Sequence, residues 1–288
     1  STVEIPIEQI KSLPKFMGET DVLKALQLLP GVQSGNEGTT GLYVRGGGPD
    51  QNLILLDGVP VYNASHLFGF FSVFNADAIN KVTLIKGGFP ARYGGRLSSV
   101  LDIRMKEGNM NDFGGEGSIG VVASKLTLEG PIKKDKSSFI ISGRRTYIDL
   151  LARPIIKAQT NGESVGGYYF YDLNAKLNYK FSDKDRLYLS GYFGRDKFYF
   201  KDKYSSSGGG YSEEETFKGG LAWGNATAVL RWNRVINKKL FSNLTATFTD
   251  YLFDISSDIE NVYEDAQGRE TSTFGLRYFS GIRDFALK

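Results

Sequence analysis

The side chains that most often carry catalysis or hold metals are scarce in this sequence. Histidine occurs once, at His66, and cysteine is absent, which excludes disulfide bonds, thiolate metal sites and a cysteine nucleophile. A single histidine cannot form a histidine-rich metal centre, and no serine–histidine–aspartate arrangement is indicated around it. We therefore predict that the protein is not an enzyme and that it holds no metal or cofactor.

Nucleotide and nucleic-acid binding are not indicated either. Arg45 to Gly48 is glycine-rich, but a dinucleotide site needs a strand, the spacing G-x-G-x-x-G and then a helix. Here Pro49-Asp50 and another strand follow, and no Gly-Lys-Ser/Thr is present. With 35 Lys and Arg against 32 Asp and Glu, the net charge of +3 is too small to predict a nucleic-acid partner.

His66 lies in an aromatic stretch that also contains Phe68, Phe70, Phe71 and Phe74. Aromatic side chains in a loop suit the binding of sugars or siderophores, whereas the same side chains also pack protein cores. We assign Phe71 and Phe74 to the core. For His66 and Phe68 both alternatives, ligand contact and core packing, remain open.

The elements around these residues are short up to about residue 110. Apolar residues recur at helical spacing from Val22 to Leu29, after Thr20 and Asp21 as candidate N-caps and before Pro30-Gly31. Short strands are predicted at 42–44, 53–56, 59–62, 82–85 and 100–105. Asp57-Gly58 is a preferred hairpin turn pair because both positions need positive φ, so we assign Asp57 to the turn and not to catalysis. This region is predicted to be an α+β unit.

A compositional step follows. Residues 1–110 contain nine aromatic residues and residues 111–288 contain 29, so we place a domain boundary in the polar loop 107–112. Beyond it, apolar and polar residues alternate over 169–181, and similar strands are predicted at 116–130, 138–149, 187–193, 222–232, 240–248 and 273–285. The segment 201–216, with Glu213 to Glu215, is predicted to be a long solvated loop.

The alternation leaves two architectures open. A soluble β-sandwich alternates in the same way, but strands of about ten residues, aromatic residues at both strand ends, and short turns opposite long loops are typical of outer-membrane barrels. We favour the barrel, with outer-membrane lipid against its apolar face.

The motifs of the first region resemble the plug domain of TonB-dependent outer-membrane receptors. The resemblance rests on Leu29-Pro30-Gly31-Val32, Val44-Arg45-Gly46-Gly47, Leu55 to Val61, and Lys86 to Leu97, which includes Gly94-Gly95-Arg96. The resemblance covers nearly all of residues 12–106, and the residues of the motifs look most like those of receptors of the Bacteroidota branch. It implies a plug (residues 1–110) followed by the first antiparallel transmembrane strands (111–288) of a 22-stranded β-barrel that is incomplete here.

The resemblance also implies roles for individual residues. The turn residues Gly46, Gly47, Gly58, Gly94 and Gly95 would let backbone segments approach inside the barrel lumen. Arg45 and Arg96 would either pair with acidic residues of the barrel wall, as plug arginines do in this family, or be ordinary solvated or turn-capping residues.

The function that follows is energy-coupled uptake of a scarce nutrient across the outer membrane of a Gram-negative bacterium, with the plug gating the lumen. The partners would be the TonB complex, through an N-terminal segment not evident before Ile5, and a small-molecule, sugar, siderophore or peptide ligand. A surface lipoprotein is a further candidate partner. The alternative is a receptor or signal-transducing component that binds its ligand or partner without transport. Because about seven strands follow the boundary, we expect the chain to be part of a longer protein.

Overall fold

The computed structural model describes residues 2–15, 18–35 and 40–288. Its N-terminal region is a small mixed sheet covered by short helices. The strands are β1 (Thr2–Pro6), β2 (Val32–Gln33), β3 (Tyr43–Val44), β4 (Asn52–Leu56), β5 (Val59–Pro60), β6 (Ser65–His66), β7 (Phe71–Ser72), β8 (Ile79–Lys86) and β9 (Ser99–Met105). The helices are α1 (Ile7–Lys11), α2 (Val22–Gln27) and 3-10 turns at Pro49–Gln51, Leu67–Gly69 and Ala76–Ala78. The main sheet has the order β1-β8-β9-β4-β5.

Helix α2 begins where the sequence places its cap. The Asp21 carboxylate accepts a hydrogen bond from the Lys24 amide at 3.0 Å, which satisfies a free donor of the first turn. The buried side chains of Leu23 and Leu26 belong to the same core as Val82 and Ile103 of the sheet. The N-terminal region is therefore an α+β unit, as predicted.

The remainder of the chain forms one antiparallel sheet of eight strands, each paired with the next along the chain. The strands are β10 (Gly114–Ile119), β11 (Ala123–Lys133), β12 (Ser137–Thr146), β13 (Ser164–Ser182), β14 (Asp185–Gly208), β15 (Tyr211–Asn237), β16 (Leu240–Asp265) and β17 (Gly268–Leu287). A third helix, α3 (Ile148–Gln159), joins β12 to β13. Residues 106–113 connect the two regions, and the domain boundary at residue 110 stays a prediction.

Two strand predictions were wrong in detail. The predicted strand 116–130 is divided between β10 and β11 by a turn at 120–122, so the sheet has eight strands instead of seven. The predicted loop 201–216 is a continuous hairpin that turns at Gly209-Gly210, where φ is +62° and +88°. Backbone pairing continues through serine, glycine and glutamate there although the apolar alternation stops, and Glu214 pairs with Lys203 at 2.8 Å. Among the described residues, no helix has the length and apolar character needed to cross a membrane.

The eight-stranded sheet buries its polar face and exposes its apolar face. On β13 the side chains of Asp172, Asn174 and Lys176 are buried, whereas Leu173 and Leu177 are 47% and 40% exposed. The polar face contacts the N-terminal region, so this sheet does not pack apolar side chains against a second sheet as a sandwich does. The pattern instead matches a barrel wall with a polar interior.

Candidate functional site: a buried ionic interface

His66 lies at the centre of the contact between the N-terminal region and the sheet. Its Nε2 is 2.7 Å from Oδ1 of Asp172 on β13, and its Nδ1 is 2.5 Å from Oδ2 of Asp196 on β14. The imidazole also stacks on the ring of Phe170, with the ring centroids 4.1 Å apart. Strand β6 thus inserts one side chain between two carboxylates of the sheet.

The geometry holds this imidazole in its charged form. Both ring nitrogens face carboxylate oxygens, so both carry a proton. Burial by itself lowers the pKa of His66, but the charges and hydrogen bonds of Asp172 and Asp196 outweigh burial and raise the pKa to about 9. His66 is therefore an imidazolium cation at neutral pH.

The two aspartates have further partners on the sheet and in the N-terminal region. Asp172 Oδ2 accepts from Nε of Arg144 at 2.8 Å, and Asp172 Oδ1 accepts from the Tyr192 hydroxyl at 2.7 Å. Asp196 Oδ1 accepts from the Tyr168 hydroxyl and from the Leu67 amide at 3.0 Å. All four carboxylate oxygens are satisfied, as buried charges require.

Arg144 on β12 extends the network back to the N-terminal region. Its Nη2 donates to the Ser72 carbonyl at 2.9 Å, and its Nη1 lies 3.7 Å from a Glu19 carboxylate oxygen. Arg144 is 4% exposed. The guanidinium therefore bridges Asp172 of the sheet and two segments of the N-terminal region.

A second contact lies at the turn between β4 and β5. Asp57 and Gly58 form this turn with φ of +51° and +91°. The Asp57 carboxylate is buried, accepts from the Met105 amide at 3.1 Å and pairs with Nζ of Lys176 on β13 at 3.0 Å. Arg231 of β15 donates to the Asp57 carbonyl. Asp57 is thus both a turn residue and an ionic contact to the sheet.

A third contact centres on Asp77, in the 3-10 turn before β8. Its two carboxylate oxygens lie 2.8 Å from Nζ of Lys11 and 2.8 Å from Nζ of Lys125 on β11. Burial tends to raise the pKa of Asp77, but the two lysines outweigh it and lower the pKa below its usual value. Next to it, Asn75 donates to the Ser142 hydroxyl at 2.8 Å.

The predicted ligand-facing residues occupy different environments. His66 is 1% exposed and fully engaged with the sheet, so it does not lie on an open ligand-facing loop, because the two aspartates draw the imidazole into the interface. Phe68 is 58% exposed, and its ring centroid is 5.0 Å from that of Trp223. Ligand contact by Phe68 stays a prediction.

The two predicted pairing arginines have local backbone contacts. Arg45 has a positive φ of +50°, and its amide donates to the Gly31 carbonyl at 3.0 Å. Nη1 of Arg96 donates to the Gly95 carbonyl at 2.9 Å. Pairing of either guanidinium with the barrel wall stays a prediction.

The structure gives different reasons for glycine at the predicted turn positions. Gly46 and Gly95 adopt φ of +83° and +80°, and a Cβ on Gly47 would lie 2.4 Å from Oγ of Ser98. Gly94 has open space where a Cβ would point. A close approach is therefore seen at Gly47 but not at Gly94.

The sheet residues of the interface were missed from sequence. Asp172 and Lys176 were assigned to the polar face of a strand, but their partners are 106 and 119 positions away, at His66 and Asp57. The available signal was two opposite charges on one face of the strand, in Asp172-x-Asn174-x-Lys176. No cluster of three potential metal ligands occurs among the described residues.

The comparisons with known proteins agree with this arrangement. Residues 3–99 match the family model described as "TonB-dependent Receptor Plug Domain". The whole chain superposes on the siderophore receptor PirA from Pseudomonas aeruginosa, with a TM-score of 0.51, 16% identity, and coverage of 99% of this chain and 59% of that receptor. For the outer membrane transporter YddB from Escherichia coli the TM-score is 0.51 and the identity 13%, with coverage of 99% of this chain and 53% of the transporter. For the copper transporter OprC the TM-score is 0.50 and the identity 11%, with coverage of 99% of this chain and 60% of the transporter.

The matches identify the fold of each region. The N-terminal region is a TonB-dependent receptor plug domain, and the eight-stranded sheet has the fold of the barrel wall of such receptors. The chain spans less than two thirds of the length of each of these three structures. Hereafter we call residues 2–106 the plug and the eight-stranded sheet the wall.

Proposed function

We propose that this protein is an outer-membrane receptor that takes up a scarce nutrient through its lumen, with the plug as the gate. The observation that carries this proposal is the buried ionic interface between the plug and the wall. His66, Asp57 and Asp77 each contact charged side chains of the wall at 3.0 Å or less. A gate must be held in one position and must also be released.

An ionic interface suits both requirements. Burying a charged pair costs desolvation energy that nearly cancels the attraction, so such a pair fixes orientation with little net stabilisation. When the plug moves, water entering the lumen solvates the separated charges. An apolar interface of the same area would resist separation more strongly, at about 25 cal/mol per Å² exposed to water.

Membrane insertion is supported by the outward face of the wall. Its exposed apolar side chains include Leu173, Leu177, Leu189, Leu230 and Leu244, and aromatic residues lie at both ends of the apolar part of β13, Tyr169 with Tyr171 and Tyr179 with Phe181. Strands β13 to β17 have 19 to 27 residues, whereas a tilted strand crosses a bilayer in about 9–11. The wall would therefore project well beyond one side of an outer membrane.

Energy for uptake would come from the TonB complex of the inner membrane. Strand β1 lies at one edge of the plug sheet and pairs with β8 alone among the sheet's strands, so a pull on the N-terminal end would separate a single strand pairing first. The ligand would be a siderophore, cobalamin, sugar or peptide that reaches the plug from the outer side.

Uptake by intact cells tests the proposal. Cells with and without the full-length gene are given labelled ferric siderophore, cobalamin, oligosaccharide and peptide in turn, with the TonB complex active or inactivated. We expect one nutrient to accumulate only when both the gene and the TonB complex are present. Binding of a nutrient without TonB-dependent accumulation would instead support the non-transporting receptor.

A further inference from the structure

The outward face of the wall has an apolar groove at the end that carries the β13–β14 and β15–β16 turns. Its volume is about 500 Å³, and it extends from Phe181 on β13 to Leu287 on β17. Between them it is lined by Leu187, Leu230, Leu244 and Ala246. The small side chain of Ala246 leaves the space that its larger neighbours enclose. A groove of this size and lining accommodates a flexible hydrocarbon chain.

One end of the groove is closed by a fixed polar group. Trp232 and Arg234 both lie at this end, where Oδ1 of Asp185 accepts from the Trp232 indole at 3.2 Å and lies 3.7 Å from Nε of Arg234. The Arg234 guanidinium also lies over the Trp232 ring, 5.7 Å from its centroid. Asp185 thus positions both side chains, and the Arg234 side chain remains 52% exposed.

The adjoining turns add positive charge around Arg234. Between residues 180 and 185 and between residues 234 and 239 there are five cations, Lys180, Lys184, Arg234, Lys238 and Lys239, and two anions, Asp183 and Asp185. The net charge of this rim is therefore 5 − 2 = +3. At the opposite end of the wall, residues 258–270 carry five carboxylates and one arginine, which gives 1 − 5 = −4. Positive charge is therefore concentrated at the end of the wall where Arg234 lies.

We infer that this groove binds one anionic phospholipid of the leaflet that faces the β13–β14 and β15–β16 turns, with an acyl chain along Leu187, Leu230, Leu244 and Ala246 and its phosphate at Arg234. A guanidinium beside a tryptophan at the membrane boundary suits this ligand, because the indole ring favours the headgroup level and arginine binds phosphate through two parallel donors. The inference rests on the proposed placement of the wall in a membrane.

Trp232 itself provides the measurement. The full-length receptor is reconstituted in phosphatidylcholine vesicles that contain equal fractions of either brominated phosphatidylglycerol or brominated phosphatidylcholine, since bromine quenches a tryptophan that it touches. Subtracting the Trp232→Phe receptor isolates the signal of Trp232. We expect brominated phosphatidylglycerol to quench Trp232 several-fold more strongly than brominated phosphatidylcholine.

Three variants assign the effect to the groove. Arg234→Gln should abolish the difference in Trp232 quenching between the two brominated lipids. Ala246→Phe should reduce quenching by brominated phosphatidylglycerol, because the phenyl ring fills the groove. Arg283→Gln is the matched control: Arg283 is another exposed arginine of the wall, paired with Asp250 at 3.1 Å, and its replacement should leave the difference intact. Mobility shifts on heating verify that each variant is folded.

Two other results would overturn the inference in distinguishable ways. Equal quenching by the two lipids, with the receptor in the membrane, would show that the groove does not select an anionic headgroup and would leave the proposed function standing. Absence of quenching by either lipid would show that Trp232 does not contact lipid, and the proposed membrane placement would fail as well.

Discussion

At the scale of single residues, His66 joins the plug to the wall. Replacing it with alanine leaves Asp172 and Asp196 buried without their shared cation. Breaking a buried ion pair in this way costs about 3–5 kcal/mol, so we expect His66→Ala to release this part of the plug. Hydrogen exchange of residues 63–72 in the full-length receptor should become faster.

Phe68→Ala is the matched control for this variant. Phe68 lies two positions away but has an exposed side chain, so its loss removes aromatic contacts without exposing a buried charge. Equal acceleration of hydrogen exchange by His66→Ala and Phe68→Ala would contradict the role that we assign to His66.

The same residue predicts a dependence on pH. The pKa of His66 is about 9 in the docked plug against 6.5 for an unperturbed histidine. A raised pKa stabilises docking fully below pH 6.5, and this contribution is lost progressively as the pH rises from 6.5 to about 9. We expect hydrogen exchange of residues 63–72, corrected for its intrinsic pH dependence, to accelerate across this range.

His66→Gln provides the comparison for the pH series. Glutamine still offers a hydrogen bond but does not titrate, so the corrected exchange rate of this variant should be flat between pH 6.5 and 9. A slope of the same size in His66→Gln would assign the pH dependence to another group.

At the scale of elements, the β4–β5 turn couples the plug to β13. Asp57→Asn keeps a residue that tolerates positive φ but leaves the Lys176 ammonium buried without a carboxylate. We expect this variant to lower the free energy of plug docking by about 3 kcal/mol. The double variant Asp57→Asn/Lys176→Met should be less damaged than Asp57→Asn alone, because it removes the unpaired charge.

The double-mutant cycle compares the unchanged protein, Asp57→Asn, Lys176→Met and the double variant. Denaturant titrations that follow release of the plug measure the coupling free energy between the two side chains. Additive effects of the two substitutions would show that the 3.0 Å contact between Asp57 and Lys176 contributes nothing to docking.

Elements with a clear local signal were predicted well. Helix α2 has an Asp21 cap and a proline stop, β4 has a continuous apolar run, and β8 and β9 are rich in valine, leucine and isoleucine, so local patterning was sufficient. The hairpin of β14 and β15 was missed over 201–216 because its outer part is held by backbone pairing, which serine and glutamate permit but do not signal. The turn between β10 and β11 was missed because it contains Val121 and Val122, which continue the apolar pattern of a strand.

The interface itself was beyond sequence reasoning for a different reason. His66 was identified as noteworthy, but its partners are 106 and 130 positions away, and strand register decides which polar residues of β13 and β14 face it. A single sequence carries no information on that register between the plug and the wall.

At the scale of the whole molecule, the central claim is that the plug must move relative to the wall for uptake. This chain contains no cysteine, so introduced cysteines meet no competing thiol within it. The side chains of Asn75 on the plug and Ser142 on the wall are 2.8 Å apart, and a disulfide between cysteines at these positions would fix the plug in place.

The control uses the same wall position. Thr127 and Ser142 are register partners on β11 and β12, so Thr127→Cys/Ser142→Cys places a disulfide within the wall and leaves the plug free. Each double variant is introduced into the full-length receptor. Uptake of the nutrient that the cell-uptake experiment identifies is then measured before and after the disulfide is reduced.

We predict that the Asn75→Cys/Ser142→Cys receptor takes up no nutrient when oxidised and recovers uptake when reduced, while the Thr127→Cys/Ser142→Cys receptor transports in both states. Undiminished uptake by the oxidised Asn75→Cys/Ser142→Cys receptor, with the disulfide verified, would contradict the account.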